Sequence, residues 1–233
     1  GMPSFFETLA RQSGPLASQA PEILRTHPVT VNRIAETRER ADSLPRPEVR
    51  DAAGYSLTRA RIRVLSASTP QKALEFFLGE QQNPKSVGNL GTDYGIALVR
   101  MQLGEYGAAR DLFQSLRAAH PGTIPFHTGL ANAELALGNK SQALSIYDQA
   151  MALFPRNVPL TVRYAEALLA NGDAKKAHNI LLDLLNNVPP TAQQVRLIAL
   201  AASAAGDTAE AHYYMAELHL KKGDATMAAD QLR

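Results

Sequence analysis

The stretch Leu103-Gly104-Glu105-Tyr106-Gly107-Ala108-Ala109 decides the fold, because its first glycine and its last alanine recur at a constant interval of 34 residues. The glycines are Gly104, Gly138, Gly172 and Gly206. The alanines are Ala109, Ala143, Ala177 and Ala211. Pro121, Pro155 and Pro189 keep the same interval. A fixed period of this length indicates a repeat architecture, in which one supersecondary unit is stacked several times.

Each of these residue types has a physical role in a helical hairpin. Glycine ends the first helix, because it adopts the left-handed conformation that other residues resist. The small alanine five residues later lets the second helix approach the first, and the proline stops the second helix. Asp173 and Asp207 follow their glycines, where a carboxylate can cap the next helix. We therefore predict helix–turn–helix units that bury their apolar faces by stacking on one another.

These positions resemble the tetratricopeptide repeat (TPR). Gly104-Glu105-Tyr106 matches the turn of that repeat, and alanines occupy the small position of its first helix at Ala97, Ala131, Ala165 and Ala199. The resemblance covers residues 89–220 as four units. It implies an all-α fold, a TPR-like right-handed α-solenoid of helix-turn-helix repeats.

Two further units flank the four regular ones. Ala73 and Phe77 indicate the second helix of a degenerate hairpin, whose first helix we expect over Val49–Val64, and the 36-residue step from Ala73 to Ala109 indicates an insertion or a looser turn. At the other end Gly223 and Ala228 restart the pattern, so that Thr208–Lys222 would serve two units. We thus predict a short helical segment over residues 1–44, a linker with the degenerate hairpin over 45–88, and four TPR units plus a partial fifth over 89–233.

The first 44 residues follow a different pattern. We expect helices over Ser4–Arg11 and Val29–Ala41. The run Arg25–Ile34, with Pro21-Glu22 and the opening Pro3-Ser4-Phe5-Phe6, resembles the tail of the catalytic domain of bacterial HExxH zinc metallopeptidases. More narrowly it is similar to the BepA/YfgC-like family, in which a periplasmic peptidase domain precedes a TPR array.

At the C-terminal end the array stops at Arg233 without a polar cap, so we expect more chain in the parent protein.

The residues themselves carry no catalytic chemistry. The chain has no cysteine and no His-Glu-x-x-His motif. His212 and His219 are seven residues apart, about 10.5 Å along a helix, which is too far for one metal ion. We expect no catalytic residue, no metal site and no cofactor in this chain, whereas the resemblance implies zinc in the full-length parent. It also implies that His27 lies near that zinc site.

Composition excludes several classes of partner. The net charge of +2, the 6% of aromatic residues and the absence of tryptophan argue against nucleic acid. No apolar stretch is long enough to span a bilayer, so we expect only indirect membrane association. Arg59 and Arg63 share a helical face with Arg61 turned away. We expect a solvated face with ion pairs to Glu48 and Asp51, and the alternative is recruitment of an acidic partner or of lipid headgroups. We expect His120 and His127 to be solvated.

The first helices of the array are the expected binding surface, since stacked hairpins present them on the concave side. The TPR pattern carried over position by position places thirteen residues there: Tyr94, Leu98, Met101, Thr128, Asn132, Leu135, Val162, Arg163, Glu166, Leu169, Arg196, Leu200 and Ser203. The two arginines could each hold a carboxylate bidentately. Thr128 replaces the lysine of the TPR carboxylate clamp beside Asn132, so we do not expect that clamp. An extended or helical polypeptide is the expected guest.

The prediction for function is a protein–protein interaction scaffold, the TPR region of a periplasmic zinc metallopeptidase in outer-membrane protein assembly or quality control. Its partners would be protein or peptide clients and its own peptidase domain. The alternative is a free-standing TPR adaptor or co-chaperone with no enzymatic parent, whose first residues only cap the array.

Overall fold

A computed structural model describes residues 31–43, 53–83 and 89–233 of the chain. These residues form twelve α-helices, and this part of the chain contains no strand. The helices are α1 Val31–Ser43, α2 Ala53–Ser66, α3 Pro70–Gln82, α4 Leu90–Gln102, α5 Tyr106–Ala119, α6 Ile124–Ala136, α7 Lys140–Leu153, α8 Val158–Ala170, α9 Ala174–Asn187, α10 Ala192–Ala205, α11 Thr208–Lys221 and α12 Ala225–Gln231.

Helix α1 belongs to a separate unit from the array that begins at Ala53. It overlaps the helix predicted over Val29–Ala41 but ends two residues later, at Ser43. Arg40 pairs with Glu36 at 3.2 Å across one turn. The helix expected over Ser4–Arg11 lies outside the described residues.

The second unit is a succession of helical hairpins, as the 34-residue period predicts. Each helix from α2 to α12 packs on the next, and the first helices of successive hairpins also pack side by side, α2 on α4, α4 on α6, α6 on α8 and α8 on α10. One continuous apolar core therefore runs from Leu57 in α2 to Leu218 in α11. The predicted all-α solenoid of helix–turn–helix repeats is confirmed.

The turn residues act as expected. Gly104, Gly138, Gly172 and Gly206 have φ between 77° and 90°, in the left-handed region. Asp173 and Asp207 each accept a hydrogen bond from the backbone N–H three residues on, at 3.2 and 3.0 Å. The second-helix alanines Ala109, Ala143 and Ala177 are completely buried, because they lie where paired helices come closest.

The first hairpin, α2 and α3, departs from this scheme. Its turn has no glycine, and Thr69 caps α3 while Pro70 begins it. Helix α2 packs mainly on α4 rather than on its own partner α3. Seven residues separate α3 from α4, whereas four separate the later hairpins, so the extra spacing before Ala109 is an insertion between hairpins.

The last helices share a neighbour. Helix α11 packs on both α10 and α12, and the assignment of Thr208–Lys222 to two units stays a prediction. Gly223 again has a positive φ, 81°, and Ala228 in α12 is buried. Ala228 gives the seven-residue α12 the position of a second helix relative to α11.

Candidate protein-binding groove

A cavity of about 680 Å³, which we call the main cavity, opens on the array. All of its lining residues come from the first helices α2, α4, α6, α8 and α10, and none comes from a second helix. Because these five helices lie side by side, the cavity runs across successive repeats. Its volume falls in the range of about 300–1,000 Å³ that is usual for ligand sites.

The structure divides the thirteen predicted groove residues among three places. Eight line the main cavity: Tyr94, Leu98, Met101, Thr128, Asn132, Val162, Arg163 and Glu166. Arg196, Leu200 and Ser203 line a second, smaller cavity of about 360 Å³ between α10, α11 and α12. Leu135 and Leu169 line neither and pack, half-buried, against the core.

Tyr94 belongs to the floor of the main cavity. The side chain is only 3% exposed, and its ring packs against Phe113 and Phe126 with centroids 6.2 and 5.7 Å away. Burial raises the pKa of the Tyr94 hydroxyl, while the nearby guanidinium of Arg61 opposes this shift. Because so little of Tyr94 is exposed, a guest would contact only a small part of this side chain.

Asn132 supplies an oriented amide to the wall. Its Oδ1 accepts a hydrogen bond from the hydroxyl of buried Tyr147 at 2.8 Å, and the Tyr147 ring is stacked on Tyr164. Burial raises the pKa of Tyr147 to about 12, so that the hydroxyl remains a donor at neutral pH. With Oδ1 occupied, the exposed Nδ2 of Asn132 is the group available to a carbonyl oxygen of a guest.

Arg163 is less available for a carboxylate than the sequence suggests. Its Nη1 lies 3.1 Å from Oε2 of Glu166, one turn further along α8, and both side chains face the main cavity. A carboxylate on a guest would have to compete with Glu166 for the guanidinium. Thr128 is also engaged, since its hydroxyl donates to the carbonyl of Pro125 at 3.2 Å.

Arg61 is a lining residue that the sequence reasoning missed. It faces the main cavity, and no carboxylate in the described part of the chain lies at ion-pair distance from it. Arg59 and Arg63 point elsewhere, one 3.8 Å from Glu80 and the other over the ring of Phe76. Glu48 and Asp51, the partners expected for them, lie outside the described residues.

The other missed lining residues are the apolar Val64, Leu65, Ile124, Pro125, Gly129, Val158 and Pro159 and the amides Gln102, Gln193 and Gln194. The repeat period could have found several of them. Val64 lies 34 residues before Leu98, and Arg61 lies three periods before Arg163. Extending the register back into α2 therefore predicts that this helix lines the groove.

The histidines of the described residues do not form a metal site. The expectation that His127 is solvated was wrong: it is buried, its Nε2 lies 2.8 Å from the carbonyl of Pro121, and its ring packs edge-on against Phe154. His27 lies outside the described residues. Within residues 31–43, 53–83 and 89–233, no group of three His, Asp or Glu could hold a metal ion, so this part of the chain does not fit zinc.

None of the described helices is long and apolar enough to cross a membrane.

Comparisons with known proteins agree with this fold. Tetratricopeptide repeat models match residues 92–123 and 141–201. The beta-barrel assembly-enhancing protease of Escherichia coli K12 is 33% identical over 121 residues, 52% of this chain and 25% of that protein. The protein of the same name from Yersinia pestis is 30% identical over 125 residues, 54% of this chain and 26% of that protein. The chain thus carries a TPR region similar to that of these proteases and spans about a quarter of their length.

Solved structures support the same architecture. A thermophilic TPR protein from Thermus thermophilus superposes with a TM-score of 0.56 at 20% identity, over 78% of this chain and 99% of that one. YrrB, described as a TPR protein with an unusual peptide-binding site, superposes with a TM-score of 0.52 at 15% identity, over 86% of this chain and 97% of that one. At these identities the likeness concerns the fold alone.

Proposed function

We propose that this chain, whose repeats are similar to the TPR region of the beta-barrel assembly-enhancing proteases, is the protein-binding region of a periplasmic zinc metallopeptidase. In this role it holds client polypeptides that take part in outer-membrane protein assembly, so that the peptidase domain of the parent can act on them. The zinc and the catalysis belong to that domain, since this sequence has no His-Glu-x-x-His motif.

The observation that carries the proposal is the composition of the main cavity. It is lined by five consecutive first helices, which is the surface that stacked hairpins offer to a partner. A cavity that crosses several repeats suits an extended chain, because each repeat then contacts a different part of it.

The chemistry of the lining fits a polypeptide guest. Leu65, Leu98 and Met101 supply apolar surface, and Leu65 is 71% exposed. Exposed apolar surface beside a groove is typical of a binding site. Gln102, Gln193 and the Nδ2 of Asn132 offer amide groups to a main chain. The mixture allows side-chain and main-chain contacts to contribute together.

The experiment is binding of an unfolded outer-membrane β-barrel polypeptide, diluted from urea and labelled with a fluorophore, to the purified chain. Leu65→Asp places a carboxylate in the main cavity. Leu153→Asp is the matched control, because Leu153 is 57% exposed at the end of α7 and does not line the cavity.

We expect Leu65→Asp to weaken binding about tenfold or more, a loss of about 1.4 kcal/mol, and Leu153→Asp to bind like the parent chain. Equal binding by both variants, or no binding by the parent chain, would contradict the proposal. Circular dichroism of both variants checks that the helices are intact.

A further inference from the structure

Helix α2 exposes an apolar face on the side that points away from the core. Tyr55 is 71% exposed and Ile62 is 59% exposed, and both lie on this side because they are seven residues, about two turns, apart. Neither of them lines the main cavity. We call this surface the outward face of α2, and it consists of Gly54, Tyr55, Thr58 and Ile62.

The corresponding face of α4 is buried. Counted from the first residue of each helix, Tyr55 and Ile62 correspond to Thr92 and Val99 of α4. Thr92 is 5% exposed and Val99 is completely buried. Gly95, which lies between them on the same side of α4, is in contact with α3 of the preceding hairpin. This side of a first helix is therefore the side on which the array packs the preceding helices.

A glycine marks the place where a helix can approach closely. Gly91 is the second residue of α4, and a Cβ there would lie 2.7 Å from the carbonyl oxygen of Ser56 in α2. Gly54 is the second residue of α2, and nothing lies within 4 Å of a Cβ at this position. The outward face thus has the small residue that admits a neighbouring helix, but nothing in the described part of the chain fills that place. A helix suits an apolar face of this kind, because its backbone groups are already paired.

The charge of α2 indicates that the occupant is acidic. The helix contains three arginines, Arg59, Arg61 and Arg63, and no Asp or Glu. Arg59 borders the outward face; its side chain is 60% exposed and lies 3.8 Å from Glu80 of α3. A second copy of α2, packed across a two-fold axis, would bring arginines against arginines, so the charge argues against self-pairing. Carboxylates on another helix would be attracted to this surface.

We propose that the outward face of α2 binds an acidic amphipathic α-helix of another polypeptide. The apolar stripe of that helix covers Tyr55 and Ile62, its backbone passes close to Gly54, and its carboxylates pair with Arg59. The face from Gly54 to Ile62 is about 12 Å long, so a helix of about three turns covers it. Because this surface lies outside the main cavity, the proposal goes beyond the proposed function and does not depend on it.

The test uses three peptides of about 18 residues, labelled with fluorescein, and follows their binding to the purified chain by fluorescence anisotropy. The first forms an amphipathic helix with a leucine stripe flanked by glutamates. In the second, glutamine replaces every glutamate. In the third, proline replaces one central residue of the first, so that a continuous helix cannot form. We expect the first peptide to bind about tenfold or more tightly than either of the others, and its affinity to fall as salt is added.

Two pairs of variants locate the site. Ile62→Asp should weaken binding of the first peptide about tenfold or more, whereas Leu153→Asp should not, although Leu153 has nearly the same exposure, 57%. Arg59→Gln should reduce the preference for the glutamate peptide over the glutamine peptide. Arg110→Gln should keep that preference, because it removes a cation that pairs with Asp111 on α5. Circular dichroism checks that the helices of all four variants are intact.

Gly54→Leu distinguishes a docked helix from a lipid surface. The new side chain prevents the close approach of a helix backbone, so we expect it to weaken binding of the first peptide. It also adds apolar area, which would strengthen adsorption to a membrane. Sedimentation with vesicles of phosphatidylglycerol and phosphatidylethanolamine measures that adsorption. Gly107→Leu is the matched control, since nothing lies within 4 Å of a Cβ at residue 107 either.

The inference is overturned if the glutamate and glutamine peptides bind equally, if Ile62→Asp binds like the parent chain, or if the first peptide shows no binding up to about 1 mM. Vesicle binding that Gly54→Leu strengthens would also overturn it, because the occupant would then be a membrane. A dimer in sedimentation velocity that Ile62→Asp abolishes would identify a second copy instead. None of these results affects the Leu65→Asp comparison at the main cavity, so this inference and the proposed function are tested separately.

Discussion

The ring of Phe113 in α5 lies directly against the backbone of Gly129 in α6, and a Cβ atom at residue 129 would overlap with it. Phe77 in α3 stands in the same relation to Gly95 in α4, one repeat earlier. In both places an aromatic ring of one hairpin packs where the next hairpin has no side chain. This contact joins successive repeats, and therefore sets how closely the first helices that line the main cavity approach the preceding hairpin.

Gly129→Ala should destabilise the array. The added methyl must displace the fully buried ring of Phe113, and overpacking of this kind costs about 1–3 kcal/mol. Gly107→Ala is the matched control: nothing lies within 4 Å of a Cβ there, and alanine favours a helix over glycine by up to about 1 kcal/mol. Urea denaturation followed by circular dichroism measures both. A Gly129→Ala variant as stable as the parent chain would argue against the contact.

Ala143→Leu should also destabilise the array, by about 1–3 kcal/mol, since Ala143 is completely buried where α7 meets α6. Ala152→Leu, at an exposed position of the same helix, should change the free energy of unfolding by less than about 0.5 kcal/mol. Thermal melts of the two variants give the comparison. Equal melting temperatures would show that the repeat register assigned to Ala143 is wrong.

The free energy of unfolding of the chain should decrease at alkaline pH. Burial raises the pKa of Tyr147 to about 12 in the folded chain, whereas an unfolded tyrosine titrates near 10. Between these values the unfolded chain loses the proton first, so the stability that is present below pH 10 is lost as the pH rises from about 10 towards 12. Tyr164 and Tyr214, whose pKa values burial also raises to about 12, act in the same direction.

Tyr147→Phe should flatten this pH dependence by about 1–3 kcal/mol between pH 9 and pH 12. The change in slope is the quantity to compare, because the variant also loses the hydrogen bond to Asn132 at every pH. Tyr55→Phe, at an exposed position, is the control and should keep the parent slope. Denaturant titrations at a series of pH values test this, and identical slopes for all three proteins would contradict the assignment.

The two arginines of the main cavity should contribute unequally to client binding. Arg163 is already paired with Glu166, whereas Arg61 has no carboxylate at ion-pair distance among the described residues. Arg61→Gln should therefore reduce both the affinity for the unfolded β-barrel polypeptide and its dependence on salt more than Arg163→Gln does. Anisotropy titrations at low and high salt measure this. A larger effect of Arg163→Gln would mean that the Arg163–Glu166 pair opens in the complex.

The repeat period predicted the architecture well, because each periodic residue has one physical task that does not depend on distant contacts. The positive φ at Gly172 and the buried Ala177 follow from the local geometry of a turn and a helix crossing. The same period, extended back from Arg163, would have placed Arg61 on the groove. It was missed because α2 belongs to a hairpin whose own turn lacks the glycine.

Other features depend on tertiary contacts that a period does not contain. Leu135 and Leu169 share a register position with Met101 and Ser203, yet they lie half-buried against the core instead of lining a cavity. His127 is buried, and Phe154, which follows the second helix α7 of the same hairpin, packs on its ring. The second cavity also depends on tertiary contacts, because it lies where α10, α11 and α12 pack together.

Site-specific photo-crosslinking tests the central claim, that client polypeptides bind the first-helix face, most directly. A photoreactive amino acid at Gln102, in the main cavity, is compared with the same amino acid at Gln114, an exposed glutamine of the second helix α5. With the unfolded β-barrel polypeptide present, we predict crosslinks from position 102 and few or none from position 114. Crosslinks from position 114 without crosslinks from position 102 would contradict the account.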